Sequence, residues 1–127
     1  MTCPFCAPLL DEQEIKLENE LCLFLQRPLP VLNGSGLIIP KAHRRTFFEL
    51  TAAEWAATYE LLQTVKAQLD QTLQPDGYNV GWNCEQVGGQ EVFHAHLHVI
   101  PRFVDEPLAG KGIRYWLKQA DNRRPAR

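Results

Sequence analysis

The stretch that most limits how this chain can fold is residues 90–100, Gln-Glu-Val-Phe-His-Ala-His-Leu-His-Val-Ile. Apolar and imidazole side chains alternate in it with a period of two, which is the period of a β-strand. As a strand it places Phe93, Ala95, Leu97 and Val99 on one face. His94, His96 and His98 fall on the other, neighbouring histidines lying about 7 Å apart. One face belongs against an apolar layer and the other against something polar. Of the four histidines, only His43 lies outside this stretch.

Three readings fit such a row of imidazoles. One is a half-exposed strand whose polar side happens to be histidine. The second is a metal site, because imidazole is a common ligand and i, i+2 spacing can converge on one ion. The third is nucleophilic catalysis, in which one neutral imidazole attacks an electrophile while its neighbours fix the tautomer and bind the leaving group. Spacing alone does not separate the last two.

The rest of the chain supplies partners for this strand. Residues 14–17 and 21–26 read as strands joined by a turn at 18–20, and Leu21-Cys22-Leu23-Phe24-Leu25 is apolar on both faces. Residues 27–36 are broken by Pro and Gly and read as a loop, followed by a short buried strand at 37–39 that Pro40 ends. Residues 46–50 suggest a short helical turn. Thr51-Ala52-Ala53-Glu54 is a capping box. Trp55, Leu62, Val65, Leu69 and Leu73 follow near helical spacing, predicting one long helix over 51–73 with its apolar stripe on the sheet, ended by Pro75-Asp76-Gly77. Residues 78–84 form a further strand, joined by the loop 85–89 to the histidine strand as an antiparallel hairpin. Gly88 and Gly89 in that loop let backbone N–H groups approach a phosphate closely, though a plain turn also uses them. Residues 113–118 read as a short helix or as an arm against a second subunit. Antiparallel strands with one long and one short helix make an α+β fold.

At 127 residues the chain makes a single domain with one core. A formal charge of −2 argues against a nucleic-acid binder, and the basic end Arg123-Arg124-Pro125-Ala126-Arg127 is a solvated terminus. No apolar run reaches the length of a membrane span, and Met1-Thr2-Cys3-Pro4 does not open a signal peptide. The expected compartment is the cytoplasm, where Cys-x-x-Cys is more often a metal or redox element than a disulfide. Cys3-Pro4-Phe5-Cys6 reads as half of a zinc site, as a redox pair or as two inert thiols, and it lacks the preceding strand that a redox pair needs. As half of a zinc site it requires two more ligands, and His43 and His94 are the candidates. Cys22 and Cys84 stand alone and read as buried apolar residues.

The run His94-Ala95-His96-Leu97-His98-Val99-Ile100, after Gly88-Gly89-Gln90 and before Pro101-Arg102, resembles the signature of the histidine triad (HIT) superfamily. The resemblance takes in residues 78–83, Leu37-Ile38-Ile39-Pro40-Lys41-Ala42-His43 and the Cys3–Cys6 start, and covers about residues 1–103, leaving 104–127 as a C-terminal arm. It implies a five-stranded antiparallel sheet with two helices, usually paired into a homodimer. It also implies a nucleotide hydrolase or transferase acting at an α-phosphate, on a nucleoside phosphoramidate or dinucleotide polyphosphate. His96 becomes the nucleophile that forms a nucleotidyl-histidine, His98 touches phosphate or leaving group, and His94 orients the site. Asn83, Gly89 and Gln90 match phosphate-side positions. Bacterial members that begin with Cys-x-x-Cys bind structural zinc, here through Cys3, Cys6, His43 and His94. Two positions depart from the family. Arg27 stands where Asp or Asn meets the ribose hydroxyls, and Glu91 stands where Ser or Thr donates to the phosphate. These departures keep a second class open: a zinc-stabilised nucleotide-binding module with little turnover.

Overall fold

The computed structural model describes residues 2–126. These form one antiparallel five-stranded sheet with one long helix. The strands are β1 (Ile15–Glu18), β2 (Cys22–Gln26), β3 (Gly36–Pro40), β4 (Gly77–Trp82) and β5 (Leu97–Arg102), and the helix is α1 (Ala52–Thr72). Their spatial order is β1-β2-β3-β5-β4. β5 is thus held between β3, where Ile38 pairs Leu97, and β4, where Val80 pairs Val99. Short 3-10 turns at Leu9–Glu12, Phe47–Glu49, Gln86–Gly88 and Ala120–Asn122 complete the regular structure. No helix among the described residues is long and apolar enough to cross a membrane.

The capping box is present in full. The Thr51 hydroxyl accepts from the Glu54 backbone N–H at 3.1 Å, and Glu54 Oε1 accepts from the Thr51 N–H at 2.8 Å. These bonds satisfy N–H groups that a helix start otherwise leaves without partners. The continuous apolar run of β2 is buried on both sides, as its composition requires. Cys22 and Phe24 join Ile38, Leu97 and Val99 against Ala57, Leu61, Val65 and Leu69 of α1. Leu23 and Leu25 point the other way, into a smaller cluster with Ile39 and Phe5.

Four local expectations need correction. First, the histidine stretch is extended strand only from Leu97 onward; residues 91–96 are irregular, and a 14-residue connection over 83–96, not a tight hairpin, joins β4 to β5. The reason is a change of partner. Beyond Ile38 the chain of β3 pairs with β2 alone, and Ala95 N–H instead donates to the Arg44 carbonyl at 2.7 Å. Second, the buried stripe of α1 is Glu54, Ala57, Thr58, Leu61, Val65 and Leu69. Trp55 remains 45% exposed and joins an aromatic group with Phe47 and Trp82. Small and hydrogen-bonded residues let the helix approach the sheet, and an indole does not. Third, residues 113–118 form turns, with Ile113, Trp116 and Leu117 exposed. Fourth, Cys22 is fully buried, as read, but Cys84 is only half-buried.

The chain after β5 is tied back by Arg102 and by Asp76, whose Oδ2 accepts from the Val104 N–H at 2.8 Å. Arg102 Nε donates to the Glu106 carboxylate at 2.9 Å, and its other nitrogens reach the carbonyls of Leu108 and Lys111, each at 2.9 Å.

Candidate functional site

The N-terminal segment, the turn after β3 and the start of the histidine stretch meet at one point. One donor atom from each of Cys3, Cys6, His43 and His94 lies within 4.8 Å of all the others. Cys6 Sγ is 3.3 Å from His43 Nδ1 and 3.6 Å from His94 Nδ1, and Cys3 Sγ is 3.7 Å from His94 Nδ1. Four elements far apart in sequence therefore aim soft donors at one small volume. Burial, and then the neighbouring Cys3 thiol, push the Cys6 thiol above its ordinary value. Two adjacent thiolates need a cation between them to persist, and this donor set is the one zinc takes. His94 is prepared for that role. Its Nε2 lies 2.8 Å from the Pro40 carbonyl, which can only accept, so Nε2 carries the proton and Nδ1 keeps its lone pair. Burial, against the opposing influence of that carbonyl, holds the His94 ring below its usual pKa.

His96 is fixed by the same logic with the nitrogens exchanged. Its Nδ1 lies 2.8 Å from the His94 carbonyl and donates to it. In the neutral ring this leaves Nε2 as the nitrogen with a free lone pair. The ring is 93% buried, with Phe5 edge-on at 5.5 Å and His98 at 5.0 Å between centroids. Phe5 also packs edge-on against His94 at 5.8 Å. Phe5, one of the two residues between the cysteines, is thus a wall for both histidines. Composition gave no sign of that contact; the position of Phe5 inside Cys-x-x-Cys was the available signal.

His98 follows on β5. Burial, then His96 beside it, push its pKa below the usual value. Its Nε2 is buried with no hydrogen-bond partner. An orphaned polar atom of this kind asks for a ligand. A cavity of about 430 Å³ lies beside it, with walls that include Phe5, Leu25, Leu37, Val92, Gln13 and Arg27. That volume suits a small organic ligand.

Residues 11–105 match the HIT domain family. The chain belongs to the HIT family. Over 106 residues it is 34% identical to an uncharacterised HIT-like protein of Mycoplasma genitalium, covering 84% of this chain and 72% of that one. It is 33% identical over 114 residues to the adenosine 5'-monophosphoramidase of Schizosaccharomyces pombe, covering 88% and 83%. Among solved structures, a zinc-bound histidine triad family protein of Mycobacterium smegmatis superposes with a TM-score of 0.73 at 29% identity, covering 87% and 81%.

The remaining site candidates of this HIT protein divide into two groups. Gln90 is 98% buried and its amide is fully engaged with backbone: Nε2 donates to the carbonyls of Arg45 at 2.7 Å and Val92 at 3.0 Å, and Oε1 accepts from Glu85 N–H at 2.8 Å. That geometry makes it a brace for the loop before the triad. Gly89 adopts φ +98°, a left-handed conformation that favours glycine, with the Asn83 amide about 3.5 Å from where a Cβ would stand. Asn83 Nδ2 reaches the Gly89 carbonyl at 3.5 Å. Glu91 is exposed, whereas Arg27 lines the cavity with Nη2 3.4 Å from Gln13 Oε1. Nothing in the local sequence signals the role of Arg45. It pairs with Glu85 at 2.8 Å and lies 4.4 Å over the Phe93 ring, fastening both ends of the loop that carries Gln90.

Proposed function

We propose that this HIT protein is a nucleotide hydrolase that cleaves at the α-phosphate of a nucleoside phosphoramidate or dinucleoside polyphosphate. The observation that carries this reading is the bond from His96 Nδ1 to the His94 carbonyl, which reserves Nε2 for attack. Nε2 forms a bond to the α-phosphorus as the bond to the leaving group breaks. The leaving group departs with that electron pair and takes a proton from solvent. Water then attacks the same phosphorus, the N–P bond breaks, and His96 is regenerated beside a nucleoside monophosphate. His98, as its Nε2–H tautomer, donates to a phosphate oxygen and so completes its buried nitrogen. His94 holds the main chain to which His96 is tied. The relative from Schizosaccharomyces pombe supports the phosphoramidate arm.

Cys3, Cys6, His43 and His94 would hold the zinc. Two thiolates and two imidazoles saturate it, so it supplies a cross-link and not a site for water. Exposed Val80, Ile113, Trp116 and Leu117 offer apolar surface for pairing two copies, which supports a homodimer that sedimentation would test.

Rapid quenching with an AMP-lysine-type phosphoramidate and with diadenosine polyphosphates tests the chemistry. An acid-labile nucleotidyl adduct on His96 and release of AMP are expected. Binding of AMP without adduct or turnover would favour the non-hydrolytic nucleotide-binding module. Transfer of the nucleotidyl group to an acceptor other than water would make the protein a nucleotidyltransferase.

A further inference from the structure

Two hollows meet at Arg27. One is the cavity beside His98. The other, about 390 Å³, lies between the β1–β2 edge and α1 and is lined by Lys16, Arg27, Asn33, Gln68 and Thr72, among others. Gln26 and Arg27 belong to both walls. The charges of the two hollows differ. The first includes the acidic side chain Glu14 as well as Arg27 in its wall. The second carries two cations, three amides, a hydroxyl and no acid.

Those two cations are unpaired. Among the described residues the ion pairs use Lys41, Arg44, Arg45, Lys66 and Arg102, and neither Lys16 nor Arg27 takes part in one. The bond from Arg27 to Gln13 is long at 3.4 Å. Two like charges that share a hollow without a counter-ion repel, and an anion between them removes the cost. A guanidinium has no acceptor atom, so it cannot receive hydrogen bonds from ribose hydroxyls as a carboxylate does. What it does well is donate two parallel bonds to phosphate. Arg27 and His98 line the same cavity, so with the reacting phosphate at His98 an anion at Arg27 is a second group of the same ligand.

We propose that Arg27 and Lys16 bind a second phosphate carried on the ribose, so that the substrate class is nucleotides phosphorylated at the 2' or 3' position in addition to the 5' position. Glu14, on the side of the first cavity, is left to accept from the remaining ribose hydroxyl. The proposal rests on the nucleotide reading of the cavity. It gives the departure at Arg27 a positive role in selection, where loss of a hydroxyl contact alone would only weaken binding.

Calorimetry at fixed ionic strength tests it, with AMP, adenosine 3',5'-bisphosphate and adenosine 2',5'-bisphosphate as probes. One bisphosphate should bind about tenfold more tightly than AMP, the size of one charge-assisted pair at a partly solvated site. Arg27→Asp should abolish that preference, and Lys16→Gln should reduce it by about threefold. Both residues are exposed or line an open hollow, so unchanged melting temperatures should accompany these changes. AMP binding as tightly as either bisphosphate, or Arg27→Asp keeping the preference, overturns the proposal and leaves the nucleotide site standing. Failure of all three probes to bind at millimolar concentration overturns both.

Discussion

The two faces of the sheet are held together in different ways. On the helix face, Cys22, Phe24, Ile38, Leu97 and Val99 meet Ala57, Leu61, Val65 and Leu69 mainly through apolar contact, with Cys22 Sγ also 3.5 Å from the Thr58 hydroxyl. That attraction is non-directional and scales with area, about 25 cal/mol per Å². On the histidine face the apolar cluster is smaller, Phe5, Leu23, Leu25 and Ile39. Directed contacts do the positioning there: His94 to Pro40, His96 to His94, Gln90 to three backbone groups, and four metal-type donors at one point. Consecutive residues of β5 serve different faces, Leu97 and Val99 facing the helix and His98 facing the cavity. Core packing and the candidate site thus use alternate residues of a single strand.

The sharpest way to break this division is a pair of substitutions. His96→Ala should lower kcat by on the order of 10³ or more, as loss of a lone nucleophile does, with only a small change in melting temperature. Leu61→Ala, 97% buried on the helix face, should lower unfolding free energy by about 2–5 kcal/mol in urea titration while kcat per folded molecule stays near normal. A His96→Ala protein with near-normal turnover removes the nucleophile assignment. A Leu61→Ala protein that loses turnover in proportion to stability removes the separation of the faces.

Cys3→Ser combined with Cys6→Ser probes the link between them. Metal analysis should fall from about one zinc per chain to none, and the melting temperature should fall with it. Turnover should drop by about 10–100-fold, less than in His96→Ala, because Phe5 and His94 lose their anchor while Nε2 of His96 remains. Wild-type protein that is metal-free with freely titrating thiols would leave the four converging donors without a purpose.

Glu54 offers a charge-dependent test on the helix face. Burial raises its pKa, but the hydrogen bonds from Arg44 and Thr51 outweigh burial and leave it below its ordinary value of 4.5. A carboxylate with a depressed folded pKa stabilises above its unfolded pKa, and that contribution disappears as pH falls through the folded value. Glu54→Gln should therefore cost about 1 kcal/mol at pH 7. The gap from wild type should narrow as pH drops below 4.5. A gap independent of pH would assign the effect to packing and not to charge.

The smallest expected effect is at Glu91, which is exposed at the start of the triad segment. If its carboxylate lies near the phosphate, Glu91→Ser should tighten AMP binding by about fivefold at most, because solvent screens exposed charge. Equal affinity by calorimetry would show that Glu91 faces away from the ligand.

Local signals carried most of the fold. Strands β1 to β4 and the helix fell where alternation, Pro and Gly punctuation, and the Thr51–Glu54 box put them, because each depends on neighbours within a few residues. Local signals mislead where a distant partner decides. Residues 91–96 have the alternation of a strand, yet leave the sheet because Pro40 and Arg44 offer them other acceptors. Trp55 has helical spacing but sits outside the buried stripe, beside Phe47 and Trp82.

The site divides in the same manner. Residue types and spacing by themselves single out the three histidines as one candidate unit and Cys3 and Cys6 as candidate half of a metal site, since i, i+2 and Cys-x-x-Cys are short-range facts. They could not determine which ring nitrogen is free on which histidine. That follows from two carbonyls, Pro40 and His94, and a carbonyl's direction is a property of the folded backbone. Nor could they determine that Gln90 turns inward as a brace, or that Lys16 and Arg27 face one hollow. Those outcomes depend on groups brought together across the sheet, and only the tertiary structure sets that distance.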